Sequence, residues 1–307
     1  MPGGRSEERV PSVFRQLAAD VRNVAWLLND YLREADVTVA GSLAASEYGQ
    51  ESLYSDEQVA DPVFHVIVRA QHGLVAAVDH MGGLAACIEA DDVVLASLSL
   101  LRPIVTAAGM TYYLLDPDIG IRERLRRGWN FELDSVREQL NGVDKDQMPE
   151  LWEHLAVTRY RYLTWGRRHG YTKQERRERF GERRYWFADG DLAGPPPSEL
   201  RLADDVLAAI GDGGMGRAVY RFSSSFIHAQ AHAFSILQPA AGQRDSQTPN
   251  MVPLGVTPGD LTTWVMVATM AVHTSAARCG QYFGWDLASW VGTVYPIMER
   301  WAHALGD

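Results

Sequence analysis

DPVFHVIVRAQHGLVAAVDHMGGLAACIEA, residues 61–90, decides the architecture. Asp61 followed by Pro62 reads as an acidic cap and a proline in the first helical turn. The helix then runs to about Ala90, and valine, isoleucine, leucine and alanine fill nearly every side of it. A helix apolar almost all round is buried by others, so the pattern predicts a central helix with amphipathic helices around it. The polar exceptions are ordered. His65, Arg69, His72 and Asp79 fall at i, i+4, i+7 and i+14 and share one side of the helix. That side either meets solvent or faces a second polar stripe across an internal cavity.

The rest of the chain repeats the helical period. A first helix is expected from about Pro11 to Ala35, with Val13, Leu17, Val21, Ala25 and Leu28 on one face. Residues 36–58 are polar and glycine-containing and read as a loop. Asp91 and Asp92 open a helix over Val93–Leu115, in which Pro103 implies a kink or an early break. LLDPDIG stops it, and amphipathic helices follow over Ile121–Leu140 and Pro149–Arg168. Gly170–Glu182 is arginine-rich and surface-like. Residues 187–198, FADGDLAGPPPS, form a proline-rich loop. Ser198 caps a helix to Ile210, which GDGGMG ends. Further helices are expected over Arg217–Leu237, Pro258–Cys279 and Asp286–Leu305. Residues 238–257 form a surface loop or a lid. The expectation is an all-α helical bundle of about nine helices in one domain, 1–307, with the 187–198 loop as the boundary of any subdomains.

Composition narrows the classes of function. The 307 residues are 46% hydrophobic and 22% charged, ordinary for a globular protein. No run of 18 uncharged apolar residues and no apolar leader core are seen, so a cytoplasmic protein without a membrane span is expected. Cys87 and Cys279 sit in apolar helical patterns and read as buried free thiols. The net charge of −10 disfavours broad binding to nucleic acid. Residues 122–184 nevertheless carry 16 Lys+Arg against 11 Asp+Glu, a local balance of +5 that leaves −15 elsewhere. This segment is either a salt-bridged helical face or a surface for an anion.

The stretch YRFSSSFIHAQAHAFSIL, residues 220–237, carries the chemistry. Arg221, Ser225, His228 and His232 lie at i, i+4, i+7 and i+11 on one side of a helix apolar enough for the core. A buried arginine and imidazoles must be paired or used, because an uncompensated buried charge costs several kcal/mol. Arginine can hold a phosphate, and histidine can move a proton near neutral pH. His228 and His232 have the spacing of a two-imidazole metal grip, but Ala, Gln and Ala stand between them and no Glu-x-x-His pair is present. No phosphate loop, dinucleotide fingerprint, nucleophile elbow or heme-attachment motif appears. No metal site is assigned, and no cofactor is identified.

Three segments resemble known sequences. LSLLRPIVTAAGMTYYLLDPDIGIRERLRRG, residues 98–128, resembles a helix pair in a group of uncharacterised all-helical bacterial proteins, in which the motif arginine is followed by a glutamate four residues on; here that position is Thr106. YRFSSSFIHAQAHAF, residues 220–234, resembles the same group's later motif, and AARCGQYFGWD, 276–286, its C-terminal helix pair. The second motif also resembles the Arg-x6-His pattern of HEPN-type proteins. That resemblance implies a metal-independent ribonuclease or a toxin or defence module. It would act on RNA as a homodimer, with Arg221 and His228 as the catalytic pair and Arg102 or the basic segment as electrostatic support. A second reading is a small-molecule enzyme or binder, heme- or metal-dependent in one version. Its cavity would be lined by His65, Arg69, His72, Arg102, Tyr112, Tyr113, Tyr220, Ser225, His228 and His232. A third is a non-catalytic helical scaffold.

Overall fold

The computed structural model describes residues 12–34, 36, 39–90, 94–178, 183–192, 194–211, 213–228, 230 and 256–306. Within them the chain forms α1 (Ser12–Glu34), α2 (Leu43–Tyr48), α3 (Glu51–Tyr54), α4 (Pro62–Ala90), α5 (Val94–Leu114), α6 (Ile121–Gly142), α7 (Pro149–Arg168), β1 (Thr172–Arg177), β2 (Arg183–Ala188), α8 (Glu199–Ala208), α9 (Met215–Ile227), α10 (Pro258–Phe283) and α11 (Ala288–Gly306). The architecture is predominantly helical, with eleven helices among the described residues rather than about nine. The two additional ones, α2 and α3, are short and lie where the polar composition of 36–58 suggested a loop.

α4 is the longest helix among the described residues, and it keeps one exposed side where burial all round was expected. It packs against α1, α5, α6 and α10, and Val66, Ile67, Ala70, Leu74, Ala77, Met81 and Leu84 are buried along it. By length and composition alone it could cross a membrane: an 18-residue window has a mean hydropathy of 1.2, with 44% of that window buried inside the protein. Its start is as expected at Pro62, but the capping carboxylate is a different one. Glu51, from α3, accepts the Val63 N–H at 2.9 Å and the Phe64 N–H at 2.8 Å, while Asp61 contributes only its backbone carbonyl to the His65 N–H. A carboxylate from another helix thus satisfies two of the free N–H groups and complements the helix dipole.

α5 runs antiparallel to α4, since Gly73 faces Thr111 while Gly83 faces Leu100. The Thr111 hydroxyl ties the pair by donating to the Ala70 carbonyl at 2.7 Å. The helix passes through Pro103 without ending, and α10, α8 and α9 pack on its other sides. α8 is held very close. A Cβ built on Gly109 of α5 would lie 2.4 Å from the Leu202 carbonyl oxygen, and one on Gly216 of α9 would lie 1.9 Å from that of Ala203. Only glycine at both positions lets two helices press on the backbone of a third.

Residues 172–177 and 183–188 form a hairpin that the arginine-rich sequence did not suggest, and β1 itself lies on the surface as expected. β1 and β2 pair antiparallel, with Thr172 opposite Ala188 and Gln174 opposite Trp186. Phe187 is fully buried against Trp165 and Tyr171, and Arg126 and Asn130 of α6 both donate to its carbonyl. The aromatic run Tyr185–Phe187 gives this short strand enough apolar surface to dock. Consequently residues 187 and 188 belong to a strand rather than to a loop.

Two further ends differ. α10 runs through Gly280 and stops at Gly284, which has the positive φ of 75° that favours glycine. α9 stops at Ile227, where the Gln230 N–H closes on the Ser225 carbonyl, so His228 is a capping residue and not mid-helix. Asp91, Asp92, His232 and nearly all of the 238–257 segment lie outside the described residues.

Buried charge is paired. Arg124 has 2% side-chain exposure; its Nε donates to Glu47 at 2.8 Å and its other nitrogens to the Leu114, Asp116 and Ile119 carbonyls. Tyr282 donates to the same Glu47 oxygen at 2.7 Å, and burial pushes its phenol upward. Most other cations of the basic segment are also spent within the chain: Arg122 on Asp189, Arg126 and Arg127 on Glu123, Arg184 on Asp134, and Arg168 on Asp56 and Glu57. The local excess of positive charge is therefore largely a salt-bridged framework.

Candidate functional site

The site is set by a proline. Pro103 has no N–H, so the Ser99 carbonyl one turn earlier lacks its usual helical partner. Ser223, fully buried on α9, fills the gap. Its hydroxyl lies 2.7 Å from the Leu98 carbonyl oxygen and 3.1 Å from that of Ser99, and accepts the Arg102 N–H at 3.0 Å. Interleaving a side chain in this way fixes α9 against α5 in rotation and in register.

The Arg102 side chain emerges beside this stitch. Its Nε and Nη2 donate to Glu199 Oε2 at 3.1 and 2.5 Å, and its guanidinium lies 4.7 Å from the centre of the Tyr220 ring. Tyr220 donates its hydroxyl to the same carboxylate oxygen at 3.0 Å. Burial works against the arginine's charge, but Glu199 outweighs it and raises the Arg102 pKa; burial and Glu199 both push the Tyr220 phenol up. The first two resembling segments, 98–128 and 220–234, thus meet through Arg102, Tyr220 and Ser223. The acid that pairs with Arg102 comes from α8, 97 residues away in sequence.

A cleft of about 540 Å³ opens next to this cluster. Pro103, Ala107, Met110, Phe131, Leu202 and Ile227 give it apolar walls, and Arg102, Glu199, Thr106, Ser99 and His80 supply its polar atoms. The Thr106 hydroxyl is buried and has no hydrogen-bond partner among the described residues.

The residues expected to converge do not. Arg221 and His228 do share one side of α9, but that side is exposed. Val219, Ser223 and Phe226 take the inner face, and Arg221 lies about 200° around the helix from Val219 at 100° per residue. Ser225, expected in the same stripe, is buried and donates to the Phe222 carbonyl at 2.6 Å, a local structural bond. The α4 stripe spreads over about 21 Å of helix and meets different neighbours. His65 and Arg69 reach Glu132 of α6, at 3.3 and 2.9 Å from its Oε1. His72 and Asp79 instead line a groove of about 620 Å³ against Arg22, Trp26 and Arg33 of α1. Tyr113 lies beneath Arg127, with 4.3 Å from guanidinium to ring centre, and edge-on to Phe131. Tyr112 similarly lies beneath Arg278 at 3.7 Å. No cavity common to the two stripes is formed among the described residues.

Sequence reasoning missed Glu199, Thr106 and Glu132 as site residues. Glu199 follows the capping Ser198 and reads as an ordinary first-turn acid. Glu132 carried a usable signal: in α6 it sits three residues after Trp129 and just before Leu133, on the apolar side of an otherwise charged helix. Among the described residues no group of three or more His, Cys, Asp or Glu side chains is arranged to hold a metal ion. The chain matches no family model, and no curated protein or solved structure shows significant similarity to it.

Proposed function

We propose that the protein binds a small, mostly apolar organic molecule in the α5–α8–α9 cleft. What carries this reading is one observation: a concavity of about 540 Å³ with predominantly apolar walls and a buried, unpartnered hydroxyl, Thr106 Oγ1. Ligand sites typically have this size and this ratio of apolar wall to polar anchor. Arg102 is already neutralised by Glu199, so a free carboxylate is not the favoured ligand. A compact ring system with one hydrogen-bonding group fits better, and His80 is the group in the cleft able to exchange a proton. 2-Naphthol is a suitable probe: its fluorescence should report saturable binding at one site per chain. Ala107→Trp should abolish that binding while leaving the melting temperature within a few degrees. Unchanged binding in that variant would exclude the cleft.

A ribonuclease reading keeps one supporting observation. Arg221 is exposed, has no acidic partner among the described residues, and shares its side of α9 with His228. An exposed pair two turns apart suits contact with RNA across the interface of a homodimer. His228→Ala should then remove metal-independent cleavage of single-stranded RNA by at least ~100-fold without unfolding the protein. Cleavage retained at full rate ends this reading.

A further inference from the structure

A second cleft, of about 310 Å³, lies at the other end of α4, between its first turns, residues 58–61, Trp129 and Tyr162. His65 and His80 are fifteen residues apart on one helix, about 22 Å along its axis. The two clefts are therefore separate places.

His65 is held there on three sides. Its backbone sits in the helical turn that Glu51 caps. Its ring lies parallel to Trp129, with centres 5.1 Å apart and planes inclined by 18°. Its Nε2 is 3.3 Å from Glu132 Oε1, and Arg69 Nη1 is 2.9 Å from the same oxygen. The Glu132 side chain is only 10% exposed, whereas that of His65 is 45% exposed and lines the cleft. Burial works to raise the Glu132 pKa, but His65 and Arg69 outweigh it and hold the carboxyl below its ordinary range.

Nε2 is the ring nitrogen in ion-pair contact with Glu132, although no hydrogen bond closes between them. The negative charge beside Nε2 favours the tautomer with its proton there, and that tautomer leaves Nδ1 with the free lone pair a base needs. Arg69 keeps Glu132 ionised, so the carboxylate steadies a charged imidazole without taking its proton. Three buried polar atoms of the same cluster, Trp129 Nε1, Arg69 Nε and Glu132 Oε1, make no hydrogen bond among the described residues. Orphaned groups concentrated around one histidine mark a place that something else completes.

We propose that this second cleft is a general-base site, in which His65 Nδ1 takes a proton from a compact planar molecule seated against Phe64 and Tyr162, the electron pair remaining on the substrate. The substrate class is a small aromatic or heteroaromatic compound with an activated C–H or N–H. Glu132 is a positioning residue: it acts through His65 and does not touch the reacting atoms. The other titratable or charged groups around His65 are Arg69, Asp61 and Tyr162, and the Tyr162 phenol is pushed up by burial and by Glu132.

5-Nitrobenzisoxazole tests the site directly. His65 would remove its ring C–H proton, the electron pair would form the nitrile as the N–O bond breaks, and the coloured 2-cyano-4-nitrophenolate would be released. Saturable turnover is expected, rising with pH through a single step as the base loses its proton. His65→Gln should lower kcat by at least ~100-fold with an unchanged melting temperature. Glu132→Gln should lower kcat and displace the pH step while leaving KM nearly unchanged. The two clefts are read with different probes, 2-naphthol for the first and 5-nitrobenzisoxazole for this one, so failure of the first proposal does not mimic failure of this one. Turnover that survives His65→Gln, or that climbs steadily into the lysine range with no step, overturns the proposal, as does a protein with no activity above buffer.

Discussion

His273 shows how one side chain sets a dependence on pH. It lies on α10 near Trp290 and Tyr295, its Nδ1 is buried without a partner among the described residues, and burial alone holds its pKa below the ordinary value. The unfolded chain, with a histidine pKa near 6.5, therefore binds the proton more readily than the folded one. The group's contribution to stability is fully present above about pH 6.5 and is lost as the pH falls through the lowered folded-state value. Denaturant titrations should show stability decreasing from pH 7 toward pH 5, and His273→Leu should flatten that slope. A slope unchanged in the variant would assign the effect to another group. His273 attracted no notice in the sequence, because its environment is made by α11, and no local pattern announces a buried neutral imidazole.

At the scale of elements, glycine decides how close helices come. Gly216 and Gly109 set α9 and α5 on the backbone of α8, and so place Glu199 within reach of Arg102 and Tyr220. Gly216→Ala would force a methyl into the Ala203 carbonyl, which cannot swing aside as a side chain can. A loss of about 3 kcal/mol is expected, at the upper end for overpacking. Gly82→Ala is the matched control: this α4 glycine has open space around its missing Cβ. It should stabilise by about 0.5–1 kcal/mol through helix propensity alone. Opposite signs in chemical denaturation check the pair, and equal effects would refute the packing argument. Elements were the most legible level of this sequence. Pro62 opened α4 and the proline-rich segment preceded α8 as expected. The hairpin was not legible, because six-residue strands carry little periodicity and the arginines around Tyr185–Phe187 resemble a solvated surface.

For the whole molecule, the long-range pairs matter most. Arg124 and Glu47 are 77 residues apart, and with Tyr282 they join α2, α6 and α10 through one buried carboxylate. Arg102 and Glu199 join α5 to α8 in the same manner. The Arg124–Glu47 pair is buried, so it is costly to form and more costly to break singly, since either partner would leave the other charged and alone; Arg102–Glu199 is half-exposed and its loss costs less. The same logic accounts for the candidate site. Arg102 could be marked as a charge in an apolar helix, but its acid could not be located by spacing. Arg221 could be placed on the same side of a helix as His228, but not inside or outside the bundle.

The sequence by itself determined the helical class and the helical span of residues 62–90. Those follow from a repeat of 3.6 residues, a property of the local chain. Tertiary structure alone decided which face is buried, that Glu199 and Glu132 answer Arg102 and His65, and that separate clefts form among the described residues in place of one polar cavity. Those outcomes depend on helix separations set by a few glycines and on partners many turns away, and no local period encodes either.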